Sequence, residues 1–180
     1  KSTSIYTYQT AGEREAQLMT QSDTYEGEVA FAAIGAPTAT HLSRTYNHLW
    51  TTGMEPGDEI ANYTHDYKTG RDTYYFYSAT EGADGVGADA VTDLGLEMSR
   101  SVVYINKSAN KIRTETFYDL TGEKGEERAW YSYNYKLNGT AVKSTSIYLY
   151  QTTAEQPTRE KQLMKQSDTY EGEVAFAAIG

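Results

Sequence analysis

Short runs of alternating side chains, bounded by turn residues, predict β-strands along most of the chain. The predicted strands are Ser2–Gln9, Glu28–Ile34, Ser43–Trp50, Glu59–Tyr67, Arg71–Ser78, Arg100–Asn106, Lys111–Asp119, Arg128–Lys136 and Val142–Gln151. Several links between them are short and contain Gly or Asn, which favour tight turns. We therefore predict an all-β fold of antiparallel strands, joined in hairpins and meanders that repeat along an axis.

Two segments interrupt the strand pattern and contain residues that favour helices, namely Glu13–Met19 and Thr158–Lys165. Each includes a Leu-Met pair, Leu18-Met19 in the first and Leu163-Met164 in the second. We predict short helical connectors here. Such a connector either docks one half-unit on the next or simply places a Leu and a Met in the core.

The beginning of the chain occurs again near its end. Lys1–Thr10 returns as Lys143–Thr152 with one change, and Gln21–Gly35 returns unchanged as Gln166–Gly180. The chain therefore contains a unit of 142 to 145 residues and the first part of another. Repeats of this kind build extended structures and surfaces more often than single catalytic pockets.

A weaker repeat lies inside the unit. Arg44-Thr45 aligns with Arg113-Thr114, and Gly57-Asp58-Glu59 aligns near Gly125-Glu126-Glu127. This alignment divides the chain into the end of one unit (1–35), half-repeat A (36–107) and half-repeat B (108–180). The alternative is chance similarity between tyrosine-rich strands.

Composition agrees with a folded β-rich chain and excludes several function classes. The 180 residues include 17 Tyr and no Cys, with 38% hydrophobic and 23% charged residues, which suits half-buried strands without disulfides or thiol chemistry. The net charge of −9 argues against nucleic acid as a partner. No run of 18 apolar residues is present, so we predict no membrane span.

The sequence contains no recognisable catalytic or metal-binding constellation, so we predict neither an enzyme nor a cofactor. His41, His48 and His65 lie on or beside strands without a ligand spacing. The carboxylate pairs at Asp58-Glu59 and Glu126-Glu127 are adjacent, and adjacent side chains on a strand point to opposite faces. A role in the turn conformation fits them better than a catalytic dyad.

Two groups of residues are candidates for ligand binding. Carboxylates among glycines could hold calcium, although the spacing is not that of an EF-hand; the alternative is a plain surface loop. Their residues are Asp84, Asp89 and Asp93. Strand tyrosines could stack on sugar rings; the alternative is a cross-strand aromatic ladder that holds the sheet. These tyrosines are Tyr74, Tyr75, Tyr77, Tyr131, Tyr133 and Tyr135.

A further candidate is an assembly surface, because an apolar strand with a free edge can add to the sheet of a neighbour. We expect the apolar stretch after each QSDTYEGE sequence, together with part of the last predicted strand, to serve this purpose. The candidate residues are Val29, Phe31, Ile34, Val174, Phe176, Ile179, Ile147 and Leu149.

Tyr118-Asp119-Leu120-Thr121-Gly122, together with the repeated tyrosine strands and glycine turns, resembles the YD-repeat class of large bacterial surface and secreted proteins. That resemblance implies a long extracellular array of β-strands. The leading expectation is therefore a structural tandem repeat of an extracellular filament or surface fibre, with other copies of itself as its partner. The alternative is an adhesin or carbohydrate-binding repeat, with glycans as ligands.

Overall fold

The computed structural model describes residues 1–10, 12, 16–30, 40–49, 54–122 and 124–175. The chain forms two compact units, Lys1–Tyr74 and Tyr75–Gly180. The predicted all-β, antiparallel meander is confirmed. Within the described residues, the helical elements named by their bounds are single 3-10 turns at Ala88–Ala90 and Arg159–Lys161.

The first unit is a meander in which each strand pairs with the next one along the chain. Its strands are β1 (Ser2–Tyr8), β2 (Met19–Glu26), β3 (His41–His48), β4 (Ile60–Asp66) and the first half of β5 (Arg71–Ser78). Tyr63 stacks between Tyr46 and Tyr74, with ring centroids 4.7 and 5.2 Å away. This ladder joins β3, β4 and β5 along one face of the sheet.

The second unit continues from the end of β5 and follows the same plan. Its further strands are β6 (Val86–Gly87), β7 (Glu97–Asn106), β8 (Lys111–Asp119), β9 (Arg128–Tyr135), β10 (Val142–Tyr150) and β11 (Met164–Glu171). The order from β5 is β7, β8, β9, β10 and β11, and the two-residue β6 pairs with β5.

The two faces of the second unit's sheet are held by different contacts. On one face, Phe117, Tyr131 and Tyr133 form a buried aromatic cluster. On the other, the Ser132 hydroxyl lies 3.0 Å from the Thr116 hydroxyl and 3.1 Å from that of Tyr148. Within the described residues, no second sheet or α-helix covers this sheet. Neighbouring side chains on the same face bury the cluster, and the segment after β11 also contacts it, because the Tyr133 hydroxyl donates to Val174 O.

The structure differs from the predicted elements in three places. No strand was predicted over Met19–Glu26, but it is β2, paired on both sides. Glu28–Ile34 was expected to be a strand, but Glu28–Ala30 has no regular structure and 31–34 lies outside the described residues. The connector at Thr158–Lys165 contains only a 3-10 turn before β11 begins at Met164.

Candidate functional site

The most informative feature for function is that one sequence occurs twice in different surroundings. The β1–β2 and β10–β11 hairpins have the same register, from Ser2 opposite Glu26 and Ser144 opposite Glu171 onward, and the same irregularity before the last pair. β2 also pairs with β3 on its other side. Within the described residues, β11 pairs with β10 alone, so its other side is a free strand edge.

This difference in pairing exposes apolar side chains on β11. Leu18 and Tyr25 are each only 5% exposed, whereas their copies Leu163 and Tyr170 are 70% and 48% exposed. The two copies have the same sequence from Gln21 and Gln166 onward, so the surroundings account for the difference between Tyr25 and Tyr170. The free edge of β11 therefore presents surface that the first copy buries.

The contacts of Asp23 show which interactions β2 gains when it pairs with β3. This buried carboxylate on β2 accepts a hydrogen bond from Arg44 Nε at 2.6 Å and lies 2.7 Å from His41 Nε2, with both partners on β3. The hydrogen bond to Asp23 raises the pKa of Arg44, although partial burial opposes the shift. The His41 ring stacks between Tyr25 and Tyr67, with centroids 4.6 and 4.1 Å away.

The copy of Asp23 on β11 is Asp168, whose carboxylate keeps only the local part of this arrangement. Gln166 Nε2 donates to both carboxylate oxygens at 2.8 and 2.9 Å, much as Gln21 donates to Asp23 at 2.6 Å. In the part of the chain that the structure describes, no cation lies within ion-pair distance of Asp168. The free edge thus displays a carboxylate whose counterpart in the first copy is paired with a guanidinium.

A second contact from the β3–β4 hairpin reaches the start of β2. Glu59 Oε1 accepts a hydrogen bond from Met19 N at 2.6 Å, and its Oε2 accepts one from Gly57 N at 2.8 Å. Asn47 Nδ2 donates to Met19 O at 3.0 Å. Glu59 therefore ties the turn before β4 to the first residue of β2.

The second unit repeats this Gly-x-Glu arrangement. Glu127 accepts hydrogen bonds from Met98 N at 3.2 Å and Gly125 N at 3.0 Å. These contacts place the carboxylates Glu59 and Glu127 in the turn role expected for the adjacent acidic pairs. They also make Met98 on β7 the counterpart of Met19.

The register gives an alignment of the two units that differs by two residues from the one read from sequence. Asp23, four residues after Met19, faces Arg44, and Val102, four residues after Met98, faces Glu115. Arg44 therefore corresponds to Glu115 and not to Arg113. At this position β3 has a cation and β8 has an anion.

Glu115 has its own partners in the second unit. Arg100 Nη1 donates to its Oε1 at 2.7 Å, and the Tyr135 hydroxyl donates to its Oε2, also at 2.7 Å. Glu115 and Tyr135, together with Tyr133 and Glu173, border an open cavity of about 510 Å³. The cavity is acidic and has aromatic walls.

The structure shows the contacts of the six tyrosines considered for sugar stacking or for a cross-strand ladder. Tyr74 belongs to the ladder with Tyr63, Tyr77 and Tyr131 are buried, and Tyr133 donates a hydrogen bond to Val174 O at 2.9 Å. Tyr75 is half-buried in β5. Of the set, Tyr133 and Tyr135 border the cavity.

The three aspartates proposed for calcium serve other contacts. Asp84 is bonded to Arg100 at 3.0 Å, Asp93 accepts from Gly95 N at 2.8 Å, and Asp89 lies in a 3-10 turn. Among the residues that the structure describes, no three His, Asp or Glu side chains converge as a metal site requires. His65, which lacks a ligand spacing in the sequence, lies with its Nδ1 2.7 Å from an oxygen of Asp72.

The predicted assembly residues fall into three groups. Val29 N donates to the Thr3 hydroxyl on β1, and Val174 N donates to the Thr145 hydroxyl on β10, each at 3.0 Å. Ile147 and Leu149 belong to β10, which pairs on both sides, so they do not form a free edge, and that expectation is corrected to β11. The other four predicted residues lie outside the described residues: Phe31, Ile34, Phe176 and Ile179.

A cluster around Asp119 fixes the second connector, Thr158–Lys165; Asp119 was noted only as part of the Tyr-Asp motif, and this role was not predicted. The Asp119 carboxylate accepts hydrogen bonds from Thr121 and Arg128, and Arg159 approaches it at 3.4 Å. Burial would raise the pKa of Asp119, but these hydrogen bonds and the charge of Arg159 outweigh it and lower the pKa. The signal in the sequence was the Tyr118-Asp119 pair together with Arg159 in the connector Thr158–Lys165.

Comparison with known proteins gives no family for this chain. No protein-family model and no curated protein matches it. A crystal structure of a protein of unknown function from Bacteroides fragilis aligns over 99% of this chain and 96% of its own, with 9% identity and a TM-score of 0.23. A likeness at that level carries no argument. No helix among the described residues has the length and apolar character needed to cross a membrane.

Proposed function

We propose that this chain is a structural repeat of an extracellular filament or surface fibre, which assembles by pairing of strand edges. One observation carries the proposal. Within the described residues, nearly the same strand sequence is paired with β3 in one copy and has no second neighbouring strand in the other. This strand sequence therefore occurs once with a neighbouring strand on its second side, as β2, and once with that side open to a neighbour, as β11. The extracellular setting rests on the resemblance to YD-repeat proteins and on the tyrosine-rich composition.

The mechanism in this proposal is mechanical and not catalytic. Each added strand extends the backbone hydrogen bonds and the side-chain ladders of the sheet. Cross-strand pairs contribute about 0.2–1 kcal/mol each, so five pairs, the number between β2 and β3, add roughly 1–5 kcal/mol. A sheet without a covering layer gains much of its stability in this way, and further copies of the chain are the partner.

The test is electron microscopy of tandem proteins with two, three and four copies of the unit Lys1–Val142. We expect straight rods whose length grows by a constant increment for each unit. Flexible beads, or compact particles that do not lengthen with copy number, would refute the structural role. The two-copy and four-copy proteins serve as controls for each other, because they differ only in the number of junctions.

A second candidate is a carbohydrate-binding repeat, and the cavity beside Tyr133 and Tyr135 favours it. Acidic side chains accept hydrogen bonds from sugar hydroxyls, and aromatic walls can stack on a ring. Glycan-array binding of the wild type and Tyr135→Ala tests it, with Leu137→Ala, an 82% exposed position, as the control. Binding that Tyr135→Ala abolishes and Leu137→Ala retains would support this role.

A further inference from the structure

We propose that the free edge of β11 binds a second copy of the β3–β4 hairpin, His41–Asp66, in the register of β2 and β3. The same edge rejects the otherwise similar β8–β9 hairpin. This inference rests on the proposed function, because it names the strand that edge pairing would use. It adds a rule of specificity, set by the charge opposite Asp168.

The backbone of β11 has the register that pairing with this hairpin requires. β2 and β11 share their sequence from Gln21 and Gln166 onward, and their hairpins have one register, including the irregularity. The outward N–H and C=O groups of β11 therefore follow the pattern that β3 satisfies on β2. In the same register, Gln166 faces Tyr46 of the second copy and Asp168 faces Arg44.

The charge at Asp168 selects between the two hairpins. A β3 strand brings Arg44 and His41 to this carboxylate, as it does at Asp23 with distances of 2.6 and 2.7 Å. A β8 strand has Glu115 at the corresponding position. Like charges that lie directly opposite on neighbouring strands are destabilising, so β8 opposes the pairing that β3 supports.

The start of β11 carries a second, independent part of the site. At Met19, the backbone N–H donates to Glu59 and the carbonyl accepts from Asn47. Met164 is the copy of this residue and is 55% exposed. The β3–β4 hairpin brings both Asn47 and Glu59, so the same partner completes both ends of the edge.

The apolar surface agrees with this occupant. Tyr170 corresponds to Tyr25, which stacks on His41 at 4.6 Å. A second copy of the hairpin supplies that ring and covers a side chain that is now 48% exposed. The edge is therefore complementary in charge, in backbone hydrogen bonds and in aromatic contact to one hairpin of the same sequence.

The experiment appends a second copy of residues 36–67 after Gly180 of the full chain and measures amide hydrogen exchange of Met164–Glu171. Covalent attachment makes the local concentration of the hairpin high, so weak binding is detected. We expect exchange in this segment to slow at least tenfold relative to the 180-residue chain. An appended copy of residues 107–136, which contains the β8–β9 hairpin, should leave exchange unchanged.

Charge reversal decides whether Asp168 sets the specificity. Arg44→Glu in the appended copy alone should remove the protection, and Asp168→Arg in the same chain should restore at least part of it. Equal protection by both hairpins, or none with the native hairpin, would overturn the inference. If tandem proteins still form rods in that case, the structural function stands and the units join through another surface.

Discussion

Arg44 and Asp23 face each other directly across β3 and β2, with the guanidinium Nε 2.6 Å from the carboxylate Oδ1. The same aspartate occurs again as Asp168, where the second copy has no such partner in the described part of the chain. One sequence therefore contains a paired and an unpaired form of the same position, and each is a control for the other.

The first prediction compares Asp23→Asn with Asp168→Asn. The former removes the charge from a buried carboxylate that is bonded to Arg44, and a hydrogen bond to a charged group contributes about 1.5–3 kcal/mol. We expect Asp23→Asn to lower the free energy of unfolding by about 2 kcal/mol and Asp168→Asn to change it by less than about 0.5 kcal/mol. Urea denaturation measures both, and equal effects would contradict the distinction between the two copies.

The second prediction concerns the Gly-x-Glu turns. Glu59→Ala leaves the Met19 N–H without its carboxylate partner, which should cost about 1–3 kcal/mol. Glu127→Ala should cost less, since its contacts of 3.2 and 3.0 Å are longer than the 2.6 and 2.8 Å of Glu59. Glu55→Ala, an exposed residue in the same turn, is the control in thermal unfolding and should be neutral.

The third prediction concerns pH. Burial, followed by repulsion from Glu127, raises the pKa of Glu97, and its Oε2 is buried without a hydrogen-bond partner. A raised pKa in the folded state means that the contribution of this group is fully present at acid pH and is lost as pH rises through the folded pKa.

Glu97→Gln keeps the neutral form at every pH. We therefore expect this variant to be more stable than the wild type at pH 7, with a gain that disappears as pH falls below the ordinary range of a carboxyl. Urea midpoints across pH 3–8 measure the gain. Glu171→Gln, at an exposed position on β11, is the control for the loss of one negative charge. A pH-independent gain for Glu97→Gln would contradict the explanation.

The fourth prediction separates two roles of glycine in turns. Gly125 and Gly139 both have positive φ, but a Cβ would meet nothing within 4 Å at Gly125, whereas at Gly139 it would lie 2.6 Å from Lys111 Cα. Gly125→Ala should cost about 1 kcal/mol for its backbone conformation alone. Gly139→Ala should cost at least about 2 kcal/mol more, because backbone must move to relieve the clash. Thermal unfolding of the two variants measures the difference, and similar losses would contradict the close approach.

Much of the fold could be predicted from the sequence, and the exception has a physical reason. The bounds of β5 and β8 were predicted as observed, because their alternating side chains and flanking turns are local signals. β2 was missed because its two buried residues are Asp23 and Tyr25. A buried aspartate gives no apolar signal, and its charge is matched by Arg44 on another strand.

The sequence predicted the type of candidate site, a strand edge that pairs with a neighbour, but not the strand that forms it. The repeat indicated an edge that pairs with neighbours, but hydrophobicity directed attention to Ile147 and Leu149, which lie on a strand paired on both sides. The free edge has few apolar residues, and it becomes recognisable only when the exposure of Tyr170 is compared with that of Tyr25. The correspondence of Arg44 with Glu115 also required the strand register.

The difference between Arg44 on β3 and Glu115 at the corresponding position of β8 has a consequence for the period of an assembled array. A slip by half a unit would set Glu115 against an aspartate of β2 or β11, whereas a slip by a whole unit would restore Arg44 to that place. Misaligned copies would therefore be corrected in steps of 142 residues and not of about 70. The correct alignment of such an array would therefore depend on one position, which is a cation on β3 and an anion on β8.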